Sequence, residues 1–535
     1  YQELDNYRLQ LTHFALQNKW QRGQRLAVLF DNSPEWIVAD LMAATIGLVI
    51  VPIHTTFNSD YVKKVIEHSE ARYLLIAREY FDKHSEIIKN LNLETIVVWG
   101  DSSDLTDKRV EPWPKFAEDF SGEEVEVDIS EHSLHTIIYT SGTTGDPKGV
   151  MLSHKNLVAD VESAKRSIDI FPQDRFFSFL PLSHAFERTA GYYAAIFTGS
   201  SIFFAQSAKT LVADIKLAQP TILNSVPRIF EKIYGSIFDK VESGSHFKKQ
   251  MFFKGLQLAV AKRKKELKWH RWLEWKFLDI VVLKKIRNIF GGQLRLAISG
   301  GASLDLKVIK FFDNLGIKVI EGYGMTEASP IICVNQINDF RFGTVGQALD
   351  CNEVKVAENK EILVRGENVM LGYYKNQDLT NEIIDKDAWL HTGDLGFMDR
   401  EGFLTIVGRA KDIIVLSTGK NIFPEGIENV LNESRYISQS MIYGDKQKNL
   451  SALVVPNFEQ LKAWCEKHGI KYDLSDERIL NFYRDKIDGR LKNFAKIEQI
   501  GDFKLLEEEF SQENGFLTPT LKLKRYKILS KYDLR

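Results

Sequence analysis

The residues best suited to chemistry stand between Tyr139 and His154, where the chain reads YTSGTTGDPKGVMLSH. Gly142, Gly145 and Gly149 would let backbone N–H groups approach an anion with no Cβ in the way. Ser141, Thr143 and Thr144 add hydroxyl donors, and Lys148 adds a point charge. Donors at this density suit a polyphosphate. A Walker loop is excluded by spacing, because its second glycine, counted from Gly142, would fall on Pro147.

Other residues could complete a nucleotide site. In SGGASL, Ser299 to Leu304, tight glycines after a strand would let a flat ring lie against the backbone. In EGYGMTEAS, Glu321 to Ser329, Tyr323 could stack on a base, Thr326 reach a phosphate and Glu327 serve as a hard oxygen ligand for Mg²⁺. Asp394 of TGD is expected in a turn, with both carboxylate oxygens open to two vicinal ribose hydroxyls. Arg409 of GRAKD offers a fork of donors to ribose or phosphate. His184 in PLSHAFER, Pro181 to Arg188, falls just beyond a strand, where open α/β sheets bind ligands, and is read as a substrate-pocket residue.

The elements that must position these groups alternate. Tyr1 to Trp20 has helical apolar spacing, Arg25 to Phe30 reads as a buried strand, Trp36 to Leu48 as a helix and Val49 to Ile53 as a strand. Tyr61 to His68 and Tyr73 to Ile76 continue the pattern, which indicates helices packed on a mostly parallel sheet. Asp101 to Glu131 is acidic, Pro-punctuated and irregular. A strand over Thr136 to Thr140 delivers the phosphate loop, and a helix is expected from Leu152 to Ile168. Strands follow at Phe176 to Phe179, Leu294 to Ile298 and Ile317 to Ile320. Short strands with Gly-containing turns crowd Gly343 to Arg409, and Ile413 to Leu416, Ser440 to Tyr443 and Leu453 to Val455 are strands of a last small unit.

The chain has 535 residues, too many for one ordinary core. Its 70 Lys and Arg against 72 Asp and Glu give a net charge of -2, so nucleic acid is not an expected partner. Three cysteines without a CxxC pair fit neither a disulfide framework nor a zinc site, and suit a reducing cytoplasm. No apolar run reaches the ~20 residues of a membrane span, and the opening from Tyr1 shows no basic-then-apolar leader. Lys248 to Arg287 stands apart, with thirteen Lys or Arg against three acids, interleaved with Trp269, Trp272, Trp275 and Phe277. Its readings are a solvated basic helix pair or a membrane-surface patch.

The run around Gly142 has the form [ST]SGTTGxPKG and resembles the adenylate-forming superfamily of acyl-CoA synthetases, luciferases and peptide-synthetase adenylation domains. YGMTE, TGD and GRAKD follow in that superfamily's order, and the resemblance runs from about Arg25 to Lys527. WLHTGDLG at Trp389 to Gly396, VPRIFEKIY at Val226 to Tyr234 and the LTPTLKLKR tail resemble the long-chain fatty acyl-CoA synthetases, with Ala388 standing where their signature has Gly.

The resemblance implies an α/β fold: a large N-terminal domain of αβ-layered sheets over residues 1–410, with a β-rich subdomain at 343–409, then a small mobile C-terminal α+β domain at 411–535. It implies ATP, Mg²⁺ and CoA as cofactors and a long-chain fatty acid as substrate, joined through an acyl-adenylate to give acyl-CoA. The catalytic set is Lys522, Glu327, His184 and Thr144, with Lys524 as the alternative lysine. Nucleotide and CoA contacts fall on Thr140, Ser141, Gly142, Thr143, Thr144, Gly145, Lys148, Gly300, Gly301, Ala302, Gly322, Tyr323, Gly324, Thr326, Asp394, Arg409, Gly419 and Lys420. Glu327 and Thr144 are the metal ligands, and Lys411 is the hinge. A medium-chain or aryl acid–CoA ligase, or an inactive lipid-binding homologue, are the competing readings. A homodimer and a cytoplasmic protein touching the inner face of a membrane through 248–287 are the expected associations.

Overall fold

The computed structural model describes residues 1–116, 120, 122–125, 127–141, 147–207, 209–518 and 522–534. The first sheet is built from β1 (Arg25–Leu29), β2 (Val49–Pro52), β3 (Tyr73–Ala77), β4 (Thr95–Trp99), β5 (Val110–Pro112), β6 (Leu134–Ser141) and β7 (Pro147–Ser153). Strands β5 to β2 run parallel in the order β5-β4-β3-β1-β2, and β6 pairs parallel to β2. β1 and β3 are apolar almost throughout because helices cover both faces. The helix Pro34–Ile46 shows how local sequence sets each crossover. Ser33 Oγ accepts from Trp36 N, Pro34 opens the first turn, and Gly47 at φ 71 ends the helix in the left-handed region before β2.

The second sheet has the order β14-β13-β12-β11-β10-β8-β9, from β8 (Arg175–Ser178), β9 (Ser201–Phe204), β10 (Ile222–Ser225), β11 (Leu296–Ser299), β12 (Lys318–Gly324), β13 (Ile331–Val334) and β14 (Gln347–Ala348). Its central strands are parallel, and β13 is antiparallel to both β12 and β14. A third sheet has the order β15-β16-β18-β19, from β15 (Asn352–Val356), β16 (Glu361–Gly366), β18 (Leu390–Met398) and β19 (Leu404–Arg409). β17 (Gly372–Tyr373) pairs with β7 and is the eighth strand of the first sheet. The hairpin β20 (Ile414–Val415) and β21 (Asn421–Ile422) precedes a last sheet of β22 (Ile437–Tyr443), β23 (Leu450–Pro456) and β24 (Ile500–Leu505).

The chain divides into two compact units. One is Tyr1–Lys355 with Leu363–His391 and Arg400–Leu404; the other is Val356–Ile362 with Thr392–Asp399 and Thr405–Arg535. Separate apolar clusters lie under the first two sheets of the first unit and around β22 to β24 in the second.

Four local expectations are corrected. The helix expected from Leu152 starts at His154, because Pro147 to Ser153 pair antiparallel with β6; Ser153 then caps the helix in a reciprocal pair with Asn156. The strand expected over Ile317 to Ile320 runs on through Gly322, Tyr323 and Gly324 as β12, and only Thr326–Ala328 turns, as one 3₁₀ turn before β13. Asp394 lies inside β18, not in a turn. The irregular stretch after Asp101 contains β5, added in parallel to β4.

Candidate active site

In the first unit the site is organised by a hairpin. β6 and β7 bring Thr140 opposite Lys148 and Ser141 opposite Pro147. Gly142, Thr143, Thr144 and Gly145 lie outside the described residues. Lys148 Nζ stands 5.8 Å over the ring of Tyr373, a residue of the neighbouring strand β17. The same tyrosine's hydroxyl donates to Glu327 Oε1 at 2.8 Å. Burial, and then the charge of Glu327, push that phenol above its ordinary range, so it stays a donor.

Glu327 sits on the 3₁₀ turn after β12, and its placement is over-determined. Its carbonyl accepts from Met370 N at 2.9 Å. Two residues on, Ser329 adopts φ 73, its Oγ donates to Asn368 O at 2.7 Å, and its carbonyl accepts from Thr189 Oγ1 at 2.8 Å. Asn368 Nδ2 donates to Ile331 O at 2.8 Å and to Asp160 Oδ1 at 3.2 Å. Burial raises Asp160 well above the carboxylate range, which keeps this interior neutral. Gly324 is obligatory, since a Cβ there would meet Pro330 O at 1.7 Å.

His184 lies on the turn after β8. Asn32 holds that turn through Leu180 O at 2.6 Å and Leu182 N at 2.9 Å. His184 Nδ1 accepts from Phe186 N at 3.3 Å, and its ring is 6.3 Å from that of His54. His54, bonded to Ser183 Oγ at 2.7 Å, is pushed down to about 3 by burial and then by His184. Next along, Glu187 opens a π-helical turn, is fully buried, and is pushed up to about 8 by burial. Phe186 closes on Gly300, where a Cβ would stand 2.9 Å from its ring. Gly301 and Ala302 are exposed beyond it, whereas Tyr323 is buried against β13.

In the second unit, Asp394 is buried and its Oδ1 accepts from Arg409 Nε at 2.8 Å. That bond takes up part of its acceptor capacity. Lys411 is exposed on the 3₁₀ turn Ala410–Asp412 directly after β19. Gly419 and Lys420 are exposed at the tip of the β20–β21 hairpin, with Gly419 at φ 76. Lys522 is fixed through its backbone, Lys522 N donating to Thr518 Oγ1 at 3.0 Å and Thr518 N to Lys522 O at 2.8 Å. Its ammonium is held below the usual lysine range by desolvation, then by Arg409 and Lys411; Asp394 and Glu425 oppose the shift. Lys524 instead begins the last helix, Arg525–Lys531. Its neighbour Arg525 is paired with buried Glu428.

The model for AMP-binding enzymes matches residues 1–374, well over half of the chain, and that for the AMP-binding enzyme C-terminal domain matches 411–476. This chain belongs to the AMP-binding enzyme family. It is similar to long chain acyl-CoA synthetase 7, peroxisomal, of Arabidopsis thaliana, 34% identical over 94% of this chain and 76% of that protein. It is also similar to long-chain-fatty-acid–CoA ligase 5 of Rattus norvegicus, 32% identical over 95% and 79%. Its fold is that of the anthranilate CoA ligase AuaEII solved with anthranoyl-AMP, with a TM-score of 0.76, 19% identity, and coverage of 100% of this chain and 92% of that one.

Among the described residues of this AMP-binding enzyme, no three or more His, Cys, Asp and Glu come together to hold a metal. Glu327 alone fits Mg²⁺, which is ordinarily bound by one or two carboxylates and the substrate's own phosphates. Tyr373, Thr189, Asn368 and Glu425 escaped sequence reasoning. Tyr373 stands in LGYY without any distinctive neighbour; its signal was only an aromatic pair beside a β-rich stretch. Glu187 was inside the quoted PLSHAFER run, but its burial could not be read there.

Proposed function

We propose that this chain activates a long-chain fatty acid to acyl-CoA in two half-reactions on the residues above. A carboxylate oxygen attacks the α-phosphorus of ATP, the bond to the β-phosphate breaks, and pyrophosphate leaves. The CoA sulfur then attacks the acyl carbon and AMP leaves. The observation that carries the reading is Glu327 held by the Tyr373 hydroxyl with the Lys148 ammonium over the same ring. One carboxylate and one cation are thereby fixed about a single rigid side chain.

Glu327 and Thr144 would hold Mg²⁺, which would supply charge neutralisation at the phosphates when bound. Lys148 and the donors of 140–145 orient the β- and γ-phosphates. Gly300 to Ala302 and Gly322 to Gly324, with Tyr323 and Thr326, take the adenine and α-phosphate, and Asp394 with Arg409 takes the ribose. His184 faces the acyl carboxylate. Lys522 supplies a second cation to the reacting oxygens in the first half and withdraws in the second, when Gly419 and Lys420 approach CoA. The turn is made at Lys411, the boundary between 1–410 and 411–535. The basic block 248–287 makes peripheral contact with a membrane surface, from which the acid is drawn.

Pyrophosphate release with Mg-ATP and acids from acetate to palmitate, with an aryl acid beside them, tests this. Release peaking with long chains and lost in Lys522→Ala is expected. A maximum with medium-chain or aryl acids would reassign the substrate, and no release from folded protein would leave only lipid binding.

A further inference from the structure

The block 248–287 turns one continuous apolar stripe outward. Residues 269–287 run as a 3₁₀ turn (Trp269–Arg271), an α-helix (Trp272–Leu278), a π turn (Asp279–Leu283) and a last α-turn (Lys284–Arg287). Leu278, Leu283 and Ile286 are buried, the last two in the cluster that includes Phe252 and Ala259. On the opposite side Trp269 is 88% exposed, Leu273 72%, Phe277 58%, Ile280 54% and Trp272 45%. Their spacing of three and four residues places them on one face. Five large apolar side chains on one short helical run exceed the scattered exposure of an ordinary surface.

Within residues 268–287 the exposed charges are of one sign, with Glu266 exposed just before them. Lys268, Lys276, Lys284 and Lys285 are exposed along it, and Lys276 Nζ lies 4.9 Å over the Trp272 ring. Both acids of the run are already engaged by cations: Glu274 by Lys254 and Arg271, and Asp279 by Arg287 at 2.7 Å. Among the described residues no helix is long and apolar enough to cross a membrane. An indole-bearing stripe flanked by lysines instead suits the headgroup boundary, with rings and Leu273 below the phosphates and ammonium groups on them.

We propose that the face Trp269, Trp272, Leu273, Phe277 and Ile280 inserts into the surface of an anionic bilayer, with Lys276, Lys284 and Lys285 on lipid phosphates. This rests on the reading that block 248–287 meets a membrane and names the face that does so. The full chain is sedimented with phosphatidylcholine vesicles and with vesicles of 7:3 phosphatidylcholine to phosphatidylglycerol. Wild type partitions onto the anionic vesicles about tenfold more strongly, Leu273→Asp/Phe277→Asp loses about tenfold, and Lys276→Glu/Lys284→Glu/Lys285→Glu loses the anionic preference. Octanoate-dependent pyrophosphate exchange and the thermal midpoint stay at the wild-type values in both variants, which excludes misfolding. Undiminished vesicle binding by Leu273→Asp/Phe277→Asp overturns the assigned face while leaving membrane contact by the block intact. Absence of wild-type binding to either vesicle overturns both. Self-association of wild type that the same double variant abolishes, without vesicle binding, makes the face an interface between copies and overturns the proposal.

Discussion

The Tyr373 hydroxyl donates to Glu327 Oε1 at 2.8 Å, from a strand that pairs with the one carrying Lys148. Tyr373→Phe removes one charge-assisted hydrogen bond and leaves the ring under Lys148. Such a bond contributes about 1.5–3 kcal/mol. The Mg²⁺ concentration for half-maximal pyrophosphate exchange is therefore expected to rise about tenfold, with the KM for the acid unchanged. An unaltered Mg²⁺ titration would show that Glu327 needs no such support.

In the proposed reaction Lys522 serves as a cation, and its ammonium is held below the usual lysine range. Adenylation should fall as pH rises through that lowered value, earlier than a free lysine would dictate. Lys522→Arg, charged throughout, should flatten that alkaline limb, and Lys522→Ala should lose about 100-fold in adenylation. Thioester formation from supplied acyl-adenylate should survive in both. Stopped-flow measurement of the two half-reactions over pH checks this, with Lys524→Ala as the neutral comparison.

Glu187 is protonated in the folded protein up to about 8, whereas a free glutamate ionises near 4.5. Between these values the native state binds the extra proton, so stability declines as pH rises from 4.5 toward 8. Glu187→Gln should leave the urea midpoint at pH 5 nearly unchanged and raise it at pH 8.5 relative to wild type. Parallel curves at both pH values would show that Glu187 is ionised at neutrality.

Arg188 and Asp40 form a fully buried ion pair. Tyr193 Oη donates to Asp40 Oδ2 at 2.8 Å, and Arg188 Nη1 to Thr136 Oγ1 at 2.8 Å. Burial opposes the Asp40 charge, and Arg188 first among its partners reverses this, holding the carboxylate below its usual range. Arg188→Ala should cost about 3–5 kcal/mol by stranding that carboxylate, and Arg188→Met/Asp40→Leu markedly less. Equilibrium urea unfolding distinguishes the two.

Much of this architecture was legible because its signals are local. Arg25 to Phe30 and Tyr73 to Ile76 are apolar runs long enough for a buried strand and too short for a helix. The Gly-Thr-rich run, YGMTE and TGD have fixed spacings that few other sequences share. What stayed hidden depends on partners distant in sequence. Pro147 to Ser153 is a strand only because β6 and β17 lie on either side of it. Asp394 lies in extended chain, and Arg409, fifteen residues on, reaches back to its carboxylate. Nothing near Tyr373 announces a carboxylate 46 residues earlier in the chain.

Thr189, on the π-helical turn that follows His184, hydrogen-bonds the carbonyl of Ser329, two residues beyond Glu327. On the roles proposed above, the turn beside the acid and the loop of the metal-binding carboxylate share one bond inside one unit. An acid that shifts the first would then act on the second through that bond. Thermodynamic reciprocity then requires that whatever factor the acid imposes on Mg²⁺ affinity, Mg²⁺ imposes on the affinity for that acid. The acid's effect on magnesium affinity and magnesium's effect on the affinity for that acid become two readings of the same coupling free energy.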